Sequence, residues 1–184
     1  MKKQSIITIL LLVSILAVAG YVAVEFVHKR TLEKENNQAL QALVVEEGQA
    51  GFTDLNGNNV KLNDYLGDIL VVNSWASWCP FCVAELNDFA KLANEYADSD
   101  VHVLAINRKE SKEQAQRFMK SAKLPENKIV FLLDPDDRYY EKIGGFGMPE
   151  TVFYDKDGVI FLHKRGPIKL DEMREVIELM KNND

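Results

Sequence analysis

The spacing of apolar positions changes along this chain, and each change marks an element. Residues 6–24 run without a charge, close to the roughly 20 residues that cross a hydrocarbon core as a helix. Residues 31–50 are polar and then mildly amphipathic, which reads as a tether. From Gly51 onward, short apolar runs alternate with helical patterns. Phe52-Thr53-Asp54-Leu55 and Asn59-Val60-Lys61-Leu62 flank Asn56-Gly57, a hairpin-turn dipeptide. Residues 69–75, 101–106 and 129–133 are apolar runs of strand length. Between them, Leu86, Phe89, Ala90, Ala93 and Tyr96 recur at helical spacing within residues 82–97, and residues 112–122 read as a helix with a polar face. Residues 151–154 and 159–162 bracket a second hairpin at Asp155-Lys156-Asp157-Gly158, and residues 170–180 close the chain as an amphipathic helix.

Strand, helix, strand, helix, strand is the order of parallel βαβ units. The last hairpin must then add antiparallel strands. The expected class is α/β: a central mixed β-sheet flanked by helices, with an N-terminal β-hairpin and an N-terminal transmembrane helix. The expected boundaries are residues 1–5 as a cytoplasmic N-terminus, 6–27 as a transmembrane signal-anchor, 28–44 as the tether and 45–182 as the folded domain.

Charge refines the topology. Lys2 and Lys3 precede the apolar run, so by the positive-inside tendency this end stays in the cytoplasm and the domain faces outward. Lys29 and Arg30 follow the run and weaken that signal. Ala17-Val18-Ala19 also fits a signal-peptidase pattern, but the apolar run continues to Val24, which favours an uncleaved anchor. The expected location is the cell membrane, single-pass, with the soluble domain outside the cytoplasm, where disulfides persist. The 184 residues suit one such segment plus one domain. A net charge of -6 disfavours nonspecific nucleic-acid binding, which needs a basic footprint.

The candidate chemistry lies in Trp75-Ala76-Ser77-Trp78-Cys79-Pro80-Phe81-Cys82, where a strand hands over to a helix. Free N–H groups and the macrodipole at a helix N-terminus stabilise a thiolate. Pro80 suits the first helical turn, where its missing donor costs nothing. Cys79 is then the exposed nucleophile and Cys82, one turn on, the partly buried resolving thiol; together they can form one disulfide, Cys79–Cys82. A pair of inert core cysteines is the plainer alternative. Zinc would need two further ligands, and the chain's histidines are His28, His102 and His163; no metal and no cofactor is expected. The acidic residues Asp134, Asp136 and Asp137 around Pro135 read as a turn and helix cap, and His102 and His163 as structural.

VVNSWASWCPFCVAEL resembles the active site of the extracytoplasmic thioredoxin-like TlpA/ResA/DsbE (CcmG) family, and Gly147-Met148-Pro149-Glu150-Thr151-Val152-Phe153, followed by Lys164-Arg165-Gly166-Pro167, is similar to a second segment of that group. The resemblance covers residues 45–182. It implies a thioredoxin fold with Pro149 cis beside the dithiol, and a client held by Trp78, Met148 and Pro149. It also implies an acid–base role for Glu85 on Cys82. From the residues alone, Glu85 reads as a solvated helix carboxylate and Met148 as a core side chain. Asn73 stands where cytosolic thioredoxins carry a buried Asp, which leaves Glu85 as the nearby proton carrier in sequence. Trp75 reads as packing.

The activity so implied is thiol–disulfide exchange, with reduction of client disulfides such as those of apocytochrome c during cytochrome c maturation, fed by a membrane thiol reductase of the DsbD or CcdA type. Three other readings stay open: a disulfide-forming oxidase of the same fold, a tethered binding module, and a peroxiredoxin-like peroxidase. The last is poorly supported, because P-x-x-x-T-x-x-C would need Pro and Thr where Val72 and Ala76 stand.

Overall fold

The computed structural model describes residues 18, 20–28 and 51–182, in a chain that divides into two units, Met1–Ala39 and Leu40–Asp184. In the first unit residues 20–28 are helical and exposed. Among the described residues no helix is long and apolar enough to cross a membrane. The expected cytoplasmic end, most of the expected anchor (residues 6–17 and 19), tether residues 29–44 and domain residues 45–50 lie outside the described residues.

The second unit is built on one sheet. Its strands are β1 (Phe52–Asp54), β2 (Asn59–Val60), β3 (Ile69–Trp75), β4 (Val101–Arg108), β5 (Val130–Asp134), β6 (Glu150–Tyr154) and β7 (Ile160–Arg165). Its helices are α1 (Pro80–Glu95), α2 (Lys112–Ala122), α3 (Arg138–Lys142) and α4 (Leu170–Lys181), with a 3₁₀ turn at Leu62–Tyr65. The strand order is β2-β1-β5-β4-β3-β6-β7. β3, β4 and β5 are parallel, and β6, β7, β1 and β2 add antiparallel partners. This is the mixed sheet of a thioredoxin-like fold.

β3 is buried throughout, as a central strand covered on both faces must be, and so reads as one apolar run. Alternation then sorts its side chains. Ile69, Val71 and Trp75 join Leu86, Phe89 and Ala93 of α1 and Met173, Ile177 and Met180 of α4 in one core. Leu70 and Val72 join Tyr139, Tyr140 and Ile143 in the other, with Phe52 and Leu62. α1 therefore sits on the first face with its N-terminus at the C-terminal end of β3.

Two elements differ from the sequence expectation. The hairpin's second strand stops at Val60 because Asp64 accepts the Lys61 N–H at 3.0 Å and turns the chain into the 3₁₀ helix that buries Leu62. α3 is too short for a periodic signal; it starts because buried Asp134 accepts the N–H groups of Arg138 and Tyr139 at 3.0 and 2.9 Å. Asp137 is the residue before α3 and pairs with Arg108 and Lys109. The acidic patch thus forms a turn and cap.

Candidate active site

The turn after β3 brings the two cysteines to the head of α1. The Cys79 N–H donates to Ala76 O at 3.1 Å, closing a turn over residues 76–79. Cys79 is the N-cap residue of α1 and Pro80 its first residue. Cys79 Sγ accepts the Cys82 N–H at 3.2 Å, satisfying one of the helix's free donors. Cys79 and Cys82 form a disulfide, S–S 2.07 Å. Cys79 is only 4% exposed and Cys82 0%. In this disulfide form both sulfurs are thus covered, with the Cys79 sulfur set against the first turn of the helix.

Glu85 lies one turn beyond Cys82 and points inward, 5% exposed, where a solvated carboxylate was the plain reading. Its Oε1 accepts from Asn73 Nδ2 at 2.8 Å and its Oε2 from the Ile168 N–H at 3.1 Å. Burial pushes this carboxyl up to about 7, against the pull of those two bonds. Asn73 Nδ2 also donates to Thr151 Oγ1 at 3.2 Å, while Asn73 Oδ1 is buried with no partner. Thr151 and Ile168 were not singled out from sequence. The register Asn73↔Thr151 on β3 and β6 is what joins the two motifs.

β6 begins at the same end of the sheet, since Glu150 pairs with Ser74. The Met148–Pro149 bond is cis, and Pro149 is buried. Met148 is half-buried and packs against both cores. Glu150 is fully buried. Its Oε1 accepts the N–H groups of Phe146 and Gly147 at 2.6 and 2.8 Å and the Tyr140 hydroxyl at 3.2 Å; its Oε2 meets His163 Nε2 at 2.5 Å. Burial alone would raise this carboxyl, but the two N–H groups and His163 hold it below its usual value. His163 is thus a structural partner, and His102 pairs with Asp68 at 2.9 Å.

Trp75 is buried against Phe118 and Phe131, with ring centroids 5.3 and 6.1 Å away. Trp78 and Phe81 stand out at 58% and 65% exposure. Among the described residues no group of three or more His, Cys, Asp or Glu side chains could hold a metal ion.

The redoxin family model matches residues 34–177. The thiol:disulfide interchange protein DsbE of Haemophilus influenzae is 29% identical over 172 residues, 91% of this chain and 89% of that protein. The thiol-disulfide oxidoreductase ResA of Geobacillus thermodenitrificans is 25% identical over 184 residues, 98% of this chain and 99% of that one. Among solved structures, the pneumococcal exposed lipoprotein thioredoxin of Streptococcus pneumoniae is 26% identical with a TM-score of 0.61, over 70% of this chain and 97% of its own.

Proposed function

This chain belongs to the redoxin family and is a thiol–disulfide oxidoreductase; from that premise we propose that it works as a membrane-tethered reductase of client-protein disulfides outside the cytoplasm. The observation that carries the proposal is the Cys79–Cys82 disulfide capping α1 one turn from a buried Glu85 held near neutrality.

The cycle starts from the dithiol. Cys79 thiolate, stabilised by the helix N-terminus, attacks one sulfur of a client disulfide; the Cys79–client S–S bond forms and the client's other sulfur leaves as a thiolate. Cys82 gives up its proton, with Glu85 as the acceptor, and attacks Cys79 Sγ. The second client sulfur leaves and the Cys79–Cys82 disulfide remains, two electrons having passed to the client. A carboxyl near 7 exchanges that proton at neutral pH. Exposed Trp78 and half-buried Met148 form the client-facing surface, and buried Pro149 sets the backbone of Met148 through its cis bond.

The apolar run at residues 6–24 supplies the membrane anchor, and a membrane thiol reductase of the DsbD or CcdA type returns the dithiol. Haem-binding cysteines of apocytochrome c are the proposed clients. The test is the redox equilibrium of the protein against glutathione. A potential well below the glutathione couple is expected of a reductase; one near the strong oxidants, about −120 mV, reverses the direction and makes the chain a disulfide-forming oxidase.

A further inference from the structure

A buried carboxylate from outside β3 and α1 grips the turn that carries Cys79. Glu110 lies just past β4 and is 3% exposed. Its Oε2 accepts the Ser77 N–H at 2.9 Å and Asn107 Nδ2 at 2.7 Å, and its Oε1 accepts the Ser77 hydroxyl. Burying a carboxylate is costly unless hydrogen bonds replace its water, and these three donors do so. Ser77 is the second residue of the turn at 76–79, Trp78 the third and Cys79 the last. The carboxylate therefore holds the turn by main chain and side chain at once.

The loop that delivers Glu110 is itself braced. Lys109 has φ 54°, a left-handed value uncommon outside glycine. Its N–H donates to Asp134 O at 3.0 Å, and Lys109 and Arg108 both pair with Asp137. Asn107 is a residue of β4 paired in register with Trp75 at the end of β3, so Glu110 ties the turn to the neighbouring strand of the sheet.

We infer that Glu110 is a positioning residue for exchange at Cys79, fixing the turn so that the sulfur stays at the N-cap of α1 after the disulfide opens. In the oxidised protein the disulfide holds Sγ there; once it opens that covalent hold is lost, and the turn must keep the sulfur within reach of the Cys82 N–H. The inference deepens the exchange reading above and rests on it.

The test follows alkylation of Cys79 by iodoacetamide against pH in the reduced full-length chain, with the label located by peptide mapping, for the parent, Glu110→Ala, Glu110→Gln and Ser77→Ala. Glu85, Glu150 and His163 are common to all four. Deleting a negative charge would by itself lower the thiol's midpoint. Lost positioning raises it, because the thiolate moves off the helix N-terminus. Glu110→Ala should raise the midpoint by about half a unit, roughly a threefold loss of thiolate below it, and slow exchange with an oxidised peptide to match. Glu110→Gln keeps a carbonyl oxygen for the Ser77 N–H and should recover most of that rate. An unchanged or lowered midpoint in Glu110→Ala overturns the inference. Should that variant fail to fold, Ser77→Ala decides: a smaller upward shift supports positioning, and no shift overturns it. A parent that exchanges no disulfide in the same assay defeats the reductase reading instead.

Discussion

Asn73 and Glu85 meet inside the protein, the amide of one donating to the carboxyl of the other at 2.8 Å. β3 supplies the amide and α1 the carboxyl, so the contact ties the central strand to the helix that carries both cysteines. A neutral donor tolerates Glu85 in either protonation state. A second carboxyl at position 73 would repel it when both are ionised.

Glu85 should make the protein less stable as pH rises through the neutral range. Its folded value of about 7 exceeds the ordinary 4.5. The folded state therefore binds the extra proton, and stability is complete below about 4.5 and falls until about 7. Glu85→Gln removes that titration. The unfolding free energy of the variant relative to the parent, measured on oxidised protein, should rise across this window by up to about 3 kcal/mol and stay constant above it. A difference that does not vary with pH would show that Glu85 does not titrate there.

Glu150 should behave with the opposite sign. Its carboxyl lies below the ordinary value, held by the Phe146 and Gly147 N–H groups and His163. Its contribution is present above about 4.5 and is lost as pH falls through the folded value. Glu150→Gln should cost about 1–3 kcal/mol at pH 7 and progressively less in acid. Urea unfolding at pH 7 and pH 3 checks it: an equal loss at both would assign the effect to packing alone.

Much of this was legible in the sequence, for physical reasons. Residues 69–75 are covered on both faces and so appear as an unbroken apolar run, and α2 carries a strong polar face, so each was readable from periodicity. The dithiol was readable because Cys79, Pro80 and Cys82 combine a spacing with a helix start. Glu85 was named through the resemblance, but its burial was not readable, because that depends on Ile168 and Asn73, 83 and 12 residues away. Glu110 carries no local signal at all: its partner Ser77 lies 33 residues earlier. Polar pairs made by tertiary contact leave no periodic trace.

The cysteine roles predict distinct adducts. Cys82 is wholly buried and donates its N–H to Cys79 Sγ, which sits at the helix cap. Cys82→Ala should trap a client through Cys79, because nothing remains to resolve the mixed disulfide. Cys79→Ala should trap nothing and lose insulin reduction. Mass spectrometry of the trapped species reports which sulfur is joined, and a client found on Cys82 reverses the assignment.

The exposed aromatics test how a client is held. Trp78 and Phe81 flank Cys79 in sequence and stand 58% and 65% exposed, where large apolar side chains on a monomer's surface often mark a binding site. Neither is needed by the cores, so Trp78→Ala and Phe81→Ala should each change stability by no more than about 0.5 kcal/mol. Aromatic side chains buried against a partner typically contribute more than about 1 kcal/mol each to binding, about a fivefold change in affinity. Each variant should therefore raise KM for an oxidised peptide by about that factor. Exchange with a small disulfide such as oxidised dithiothreitol touches only the sulfurs and should keep its rate. Equal losses on both substrates would mean that these rings shape the dithiol itself rather than the surface that receives a client.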